Sequence, residues 1–126
     1  MAKSKKQILI VDDEPSWIKL LSHLLRNQGY AVLEASNGKD ALKTLAGVKP
    51  DLILSDVRMP DMNGFDFLDQ VRHTTRNSTT PVVFLSAIDD YDARKVAKDL
   101  GAADYLIKPF DEREVLSVLS KHLNAP

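Results

Sequence analysis

Short apolar runs alternate with segments of helical periodicity along the chain, and the run at residues 51–56 is the clearest. It lies between Pro50 and Pro60 and ends in Asp56. A continuous apolar run of this length predicts a strand buried on both faces of a sheet. Asp56 then falls at the carboxyl end of the strand, where ligands bind in open α/β sheets. A carboxylate there either caps the next turn or takes part in chemistry.

Four further apolar runs predict the other strands. They cover residues 8–11, 31–35, 81–85 and 104–107. Each run is followed by a polar residue or a turn, so none is long enough to continue as a buried helix.

The segments between these strands carry apolar residues at the three- and four-residue spacing of amphipathic helices. Ala93, Val96, Ala97 and Leu100 show the clearest period and are expected on the inner face of the fourth helix. Helix boundaries are predicted from residues that favour them, namely Pro15, Asn37, Asn63 and Asp111 at starts and Gly29, Gly47 and Gly101 at ends.

Five strands alternating with five helices predict a doubly wound α/β fold, with a parallel sheet covered by helices on both faces. We expect one domain over residues 1–126, with residues 1–6 and 124–126 frayed. The length of 126 residues is sufficient for one hydrophobic core but not for two domains.

Composition excludes several classes of function. The formal net charge of −1 gives no basic field, so direct binding of nucleic acid is not expected. The absence of cysteine excludes disulfides, thiolate catalysis and cysteine metal sites. The apolar run that follows the basic residues 1–6 is too short for a signal peptide or a membrane span, which favours a cytoplasmic protein without membrane partners. The glycosylation sequon at Asn77 is then a chance match.

Three histidines, His23, His73 and His122, fall on predicted helices. We expect them to be exposed, without a metal or catalytic partner.

Polar residues stand at the carboxyl ends of four predicted strands. Asp12 and Asp13 follow the first strand, Asp56 the third, Ser86 the fourth and Lys108 the fifth. In a parallel sheet these ends share one edge, so the side chains are expected to meet in one crevice. Carboxylates in one crevice repel each other, and an oxygen-only set that needs a hard cation favours Mg²⁺. Such a site suits phosphoryl transfer to a carboxylate nucleophile.

Each of these residues also has a structural interpretation. The alternatives are Asp12 and Asp13 as caps of the first helix, Ser86 as cap of the fourth helix in competition with Asp89 and Asp90, Lys108 as a loop lysine, and Tyr105 as a half-buried strand aromatic. Taken singly, none of the residues is specific. Their joint occurrence at the strand ends favours a functional site.

The combined motif resembles the receiver domain of two-component response regulators over essentially the whole chain. The residues that carry the resemblance are Val11-Asp12-Asp13-Glu14, Asp56 with Met59-Pro60-Asp61-Met62-Asn63-Gly64, Ser86-Ala87, and Lys108-Pro109-Phe110. The resemblance implies a flavodoxin-like strand order of 2-1-3-4-5, which belongs to the family and does not follow from the sequence alone.

The resemblance also implies a metal and a phosphoacceptor. Asp56 would take a phosphoryl group from a histidine kinase or a phosphotransfer protein. Asp13 and Asp56 would bind Mg²⁺ directly, together with the backbone carbonyl of Arg58, and Asp12 would act through water.

A switch is implied as well. Lys108 would pair with the phosphoryl group, Ser86 would move to hydrogen-bond it, and Tyr105 would turn inward into the vacated space. This change would alter the face formed by the fourth helix, fifth strand and fifth helix, for a protein target, a relay partner or a second copy of the chain.

Two other functions compete with this interpretation. A hydrolase of the haloacid dehalogenase class requires a second Asp two residues after the nucleophile, where this chain has Arg58. A pseudo-receiver that only binds protein is expected to lack Asp13, Asp56 or Lys108, and all of them are present. We therefore expect a signalling domain that assists its own phosphorylation and dephosphorylation and turns over no external substrate.

Overall fold

The computed structural model describes residues 5–87 and 91–123. The elements along the chain are β1 (Gln7–Val11), α1 (Pro15–Asn27), β2 (Ala31–Ala35), α2 (Gly38–Leu45), β3 (Leu52–Asp56), α3 (Gly64–Arg72), β4 (Val82–Ala87), α4 (Tyr91–Asp99), β5 (Asp104–Lys108) and α5 (Glu112–Leu123). Of the segments predicted to fray, only Lys5 and Lys6 are described, and the Lys6 carbonyl accepts a hydrogen bond from the Ala31 N–H at 2.9 Å.

The strands form one parallel sheet in the order β2-β1-β3-β4-β5. This confirms the predicted fold class and the strand order that the family resemblance implied. Every residue of β3 is buried, because β3 is central and helices cover both faces of the sheet. The edge strands β2 and β5 are only partly buried.

Alternate residues of each central strand enter two separate cores, as the side-chain period of a strand requires. On one face, Leu9, Ile53 and Phe84 pack with α2, α3 and α4. On the other face, Ile10 and Leu54 pack with α1 and α5. The sheet therefore stands between two helical layers, and its carboxyl edge lies between the first turns of helices from both.

The helices begin and end at the predicted residues. Pro15 occupies the first turn of α1, while Gly29 and Gly101 adopt φ angles of +93° and +85° just after α1 and α4. Three helix starts are capped by side chains that accept a backbone N–H: Asn37 from Asp40 at 2.7 Å, Asn63 from Asp66 at 2.9 Å, and Asp111 from Glu114 at 2.8 Å. No helix within the described ranges has the length and apolar character needed to cross a bilayer.

The apolar face predicted for α4 is only half correct. Ala93 and Ala97 are buried against the sheet, but Val96 and Leu100 are 40% and 44% exposed. The reason is that α4 flanks the edge strand β5, so the sheet covers only part of a wide apolar stripe. Val96 lines a surface cavity with Met59 and Phe65, on the side of α4 that faces α3. The side of α4 that faces β5 carries Arg94 and Lys98 instead.

His23 and His73 are exposed, as expected, whereas the expected exposure is wrong for His122. The His122 side chain is 19% exposed, and its Nε2 lies 2.9 Å from Asp104 Oδ2. Burial alone raises the pKa of the Asp104 carboxyl, but hydrogen bonds from His122 and the Tyr105 N–H outweigh it and lower the pKa. This pair ties the end of α5 to the start of β5.

Asn77 has a structural role in the core, and this role explains the residue without glycosylation, which agrees with the interpretation of the sequon as a chance match. Asn77 is fully buried, and its Nδ2 donates to the carbonyl oxygens of Leu45 and Val48 at 3.0 and 3.1 Å. Its Oδ1 accepts a hydrogen bond from the Thr80 hydroxyl at 2.8 Å. The amide therefore joins the loop before β4 to the end of α2.

Candidate functional site

The predicted site residues come together at the carboxyl edge of the sheet. Asp12 follows β1, and Asp56 is the last residue of β3. Ser86 is the last residue but one of β4, and Lys108 is the last residue of β5. Carboxylate oxygens of Asp12, Asp13 and Asp56 all lie within 4.8 Å of one another. Because parallel strands end at the same edge, residues nearly a hundred positions apart share one crevice.

Lys108 provides the positive charge of this cluster. Its Nζ lies 2.9 Å from Asp12 Oδ2 and 3.7 Å from Asp56 Oδ2. The Asp12 side chain is fully buried and the Lys108 side chain is 12% exposed. A buried carboxylate of this kind needs a charged partner, and the ammonium supplies one that is shared with Asp56.

Asp56 is held in an environment that disfavours its negative charge. Its side chain is 8% exposed. Burial, followed by the neighbouring charge of Asp12, raises the pKa of Asp56 to about 6, against the opposing effects of Lys108 and a hydrogen bond from the Arg58 N–H. Asp13 adds a smaller repulsion in the same direction. The carboxyl therefore responds strongly to any positive charge brought into the crevice.

The helix-capping alternative is not what the geometry favours. Glu14 occupies the cap position of α1 and makes no side-chain cap hydrogen bond. Asp12 Oδ1 accepts a hydrogen bond from the Glu14 N–H at 2.9 Å while its other oxygen binds Lys108, and Asp13 is exposed. Ser86 lies within β4 and cannot cap α4, whereas the competing caps Asp89 and Asp90 lie outside the described residues.

The donor set fits a magnesium ion. Three converging carboxylates supply hard oxygen ligands, and the mutual repulsion that raises the pKa of Asp56 is what a divalent cation relieves. Exposed Asp13 gives the cluster an open side toward solvent. Arg58 lies at the rim, with its backbone N–H bonded to the Asp56 carboxylate, and the use of its carbonyl oxygen as a ligand stays a prediction.

A cavity of about 370 Å³ opens beside the Asp56 carboxyl. Asp56, Ser86 and Lys108 line it together with Glu14 and Trp17. A hydroxyl, an ammonium and a carboxylate thus face one space that an anionic group can enter.

Sequence reasoning missed the place of Trp17. Its ring centroid lies 5.0 Å from Lys108 Nζ and 5.0 Å from the ring centroid of Phe110. Trp17 is the only tryptophan of the sequence and lies in the first turn of the helix after Asp12 and Asp13. This position close to the predicted site could have indicated that its ring borders the site.

The role of Gly64 in the site was also missed, although its turn was predicted. A Cβ placed on Gly64 would overlap the Asp56 carbonyl oxygen and lie 3.0 Å from Val57 Cα. Its N–H donates to the Val57 carbonyl at 2.8 Å. The start of α3 therefore packs directly on the backbone that carries Asp56.

Tyr105 lies on β5, on the side of the sheet that faces α4. It is half-buried, pairs in register with Phe84, and has the Arg94 guanidinium 5.9 Å from its ring centroid. The ring thus connects the sheet to the side of α4 that carries Arg94 and Lys98.

Comparison with known proteins agrees with this arrangement. The family model described as the response regulator receiver domain matches residues 8–120. The alkaline phosphatase synthesis transcriptional regulatory protein PhoP of Bacillus subtilis is 42% identical over 110 residues, which are 87% of this chain and 45% of that protein. The chain thus spans less than half the length of this relative.

Solved structures show the same fold. Chemotaxis protein CheY4 of Vibrio cholerae superposes with a TM-score of 0.89 at 34% identity, covering 94% of this chain and 99% of that one. The receiver domain of the sensor histidine kinase PA1611 of Pseudomonas aeruginosa has a TM-score of 0.88 at 27% identity, covering 97% and 100%, and its structure holds a magnesium ion in the active site cleft. The chain therefore belongs to the response regulator receiver domains, the signalling domains of two-component systems.

Proposed function

We propose that Asp56 is a phosphoacceptor that takes a phosphoryl group from a phosphohistidine on a histidine kinase or phosphotransfer protein. An oxygen of the Asp56 carboxylate forms the new bond to phosphorus as the bond to the imidazole nitrogen breaks. The imidazole keeps that electron pair. The domain assists this transfer and the later hydrolysis of the aspartyl phosphate, in which water takes the phosphoryl group and the Asp56 carboxylate is released, and it turns over no external substrate.

The observation that carries this proposal is the environment of the Asp56 carboxyl. It is a buried carboxylate with two acidic neighbours, an ammonium at 3.7 Å and an adjoining cavity. A structural aspartate gains nothing from acidic neighbours that raise its pKa. A nucleophilic aspartate that works with a cation gains from acidic neighbours, because their oxygens bind the metal that orients the incoming phosphoryl group.

Asp12, Asp13 and Asp56 would hold Mg²⁺, with the backbone carbonyl of Arg58. When bound, the ion neutralises charge on the carboxylates and on the phosphoryl oxygens. Lys108 pairs with a further phosphoryl oxygen as a point charge, and Ser86 donates its hydroxyl to another.

The signal leaves the site through β4 and β5. When Ser86 bonds the phosphoryl group, Tyr105 turns inward and the contacts of α4 change. The face formed by α4, β5 and α5 then binds its partner, which is a protein target, a relay protein or a second copy of the chain. The Arg94 guanidinium on α4, which lies 5.9 Å from the Tyr105 ring centroid, supports this assignment, since a turn of the ring changes a contact of that helix.

A small acyl-phosphate donor tests the phosphoacceptor without a partner protein. Incubation with acetyl phosphate and Mg²⁺ is expected to add the mass of one phosphoryl group to the intact protein. The added group should be labile to base, as an acyl phosphate is, and should not form in EDTA. Intact-protein mass spectrometry before and after a base pulse measures both properties.

The matched control is Asp56→Asn, which keeps the size of the side chain and one acceptor oxygen but removes the charge and the nucleophilic carboxylate. It should take up no phosphoryl group. Uptake that persists in this variant would overturn the assignment of Asp56, and a wild-type protein that takes up none would leave the phosphorylation-independent pseudo-receiver as the function.

Lys108→Ala is expected to separate phosphorylation from switching. Asp56 remains able to accept the phosphoryl group, at a reduced rate, but no ammonium pairs with the new charge, so the change in α4, β5 and α5 weakens even in fully phosphorylated protein. Amide chemical shifts of these elements, recorded with and without acetyl phosphate, measure the response. Lys43→Ala, at an exposed position on α2, is the control. If phosphorylation shifts the α5 amide signals of Lys108→Ala as far as those of the wild-type protein, Lys108 does not couple the phosphoryl group to the switch.

A further inference from the structure

Lys108 is bounded by two kinds of partner. Toward the sheet, its ammonium meets the carboxylates of Asp12 and Asp56 at 2.9 and 3.7 Å. The same ammonium lies over the indole of Trp17, with the ring centroid 5.0 Å from Nζ. That distance is within the range in which an aromatic face attracts a cation.

The Trp17 ring is itself fixed in place. Pro15 and the Trp17 N–H, which donates to the Glu14 carbonyl at 3.1 Å, set the first turn of α1 directly after Asp13. The ring packs against Phe110 at a centroid distance of 5.0 Å and a tilt of 43°. Phe110 follows Lys108 by two residues, so one aromatic pair closes over the end of β5.

We propose that Trp17 is a positioning residue for Lys108, whose ring face holds the ammonium against the carboxylates and forms the outer wall of the phosphoacceptor cavity. The inference rests on the proposed function, because the position of Lys108 affects the reaction only if Asp56 accepts phosphate. An aliphatic residue of similar bulk would fill the same space without attracting the cation.

This arrangement has a function in the unphosphorylated protein. Lys108 has a long flexible side chain, and its ammonium is strongly hydrated in water. The aromatic wall replaces part of that hydration and leaves the amine facing the cavity where the phosphoryl group arrives. Preorganised charge of this kind avoids reorganisation at the moment of reaction.

Two substitutions distinguish attraction from packing. Trp17→Phe keeps an aromatic face, and Trp17→Leu keeps apolar bulk alone. The direct readout is the NMR signal of the Lys108 ε-methylene protons, which the ring current of Trp17 should move upfield. We expect the upfield shift to be retained in part by Trp17→Phe and lost in Trp17→Leu. An unshifted signal in the wild-type protein would overturn the proposal without any phosphorylation being measured.

The functional readout is the rate of mass gain with acetyl phosphate below saturation. A small donor is used so that a lost protein contact on α1 cannot explain a slower rate. We expect Trp17→Leu to slow the reaction by about threefold to tenfold, the effect of one half-buried cation–π contact, and Trp17→Phe to retain most of the rate.

A double-mutant cycle with Lys108→Ala decides whether Trp17 acts through Lys108. In that background Trp17→Leu should have no further effect. Equal slowing with and without Lys108 would show simple packing and overturn the proposal, as would an unchanged rate in Trp17→Leu alone. A wild-type protein that takes up no phosphoryl group would instead overturn the proposed function, while the ring-current measurement still judges the contact.

Discussion

Asp56→Asn is expected to stabilise the metal-free protein at neutral pH by about 2 to 3 kcal/mol, which is the free energy associated with a pKa raised by about two units. Burial and the charge of Asp12 raise the pKa of Asp56 to about 6, so the folded state carries an ionised carboxyl that it disfavours. Asn has the same shape and no charge. The stability gained would be the cost of keeping a nucleophile ionised in this crevice.

The gain should depend on pH in a defined direction. The pKa of Asp56 is higher in the folded protein than in the unfolded chain, so folding binds a proton between about pH 4 and pH 6. Wild-type stability relative to Asp56→Asn is therefore greatest below pH 4 and is lost as the pH rises through 6. Urea unfolding of both proteins in EDTA at several pH values measures the difference.

Magnesium should reverse part of this difference, because ligand binding stabilises the folded wild-type protein and not the variant that lacks one carboxylate. The free energy gap between the two proteins is expected to narrow on addition of Mg²⁺. A gap that stays constant from pH 4.5 to pH 7.5 would show that the environment of Asp56 does not disfavour its charge.

Gly64→Ala is expected to lose about 3 kcal/mol of stability, at the upper end of the range for overpacked sites. The added Cβ would overlap the Asp56 carbonyl oxygen, and neither α3 nor β3 can move without disturbing the buried core. Because the displaced backbone carries Asp56, phosphorylation by acetyl phosphate should also slow. Urea unfolding and intact-protein mass measure the two effects.

Gly47→Ala is the matched control. A Cβ at Gly47 meets nothing within 4 Å, and its φ is not in the left-handed region, so this variant should be as stable as the wild-type protein or slightly more stable. Equal stability of the two alanine variants would contradict the importance of the close approach at Gly64.

The elements were predictable because their signals are local. The buried run at residues 51–56, the glycines at 29 and 101, and the caps at Asn37 and Asn63 all act within a few residues. The convergence of Asp12, Asp56 and Lys108 followed once the sheet was taken as parallel. The strand order did not follow from the residues and came from the family resemblance.

What could not be predicted depends on contacts between distant residues. Nothing in the local pattern connects Trp17 with Lys108, or His122 with Asp104, because each contact exists only after α1 and α5 pack on the same face of the sheet. The exposure of Val96 and Leu100 has a similar cause. The spacing of apolar residues shows which side of a helix is apolar, but not how much of that side the sheet covers.

The edge position of β5 has a mechanical consequence. The helices α4 and α5 belong to opposite helical layers. Both of them pack against β5, which pairs with β4 on its inner side. A displacement of the end of β5 would therefore change contacts in both layers at once. A partner that contacts α4 and α5 together would therefore respond to the angle between the two helical layers, which the position of either helix alone does not define.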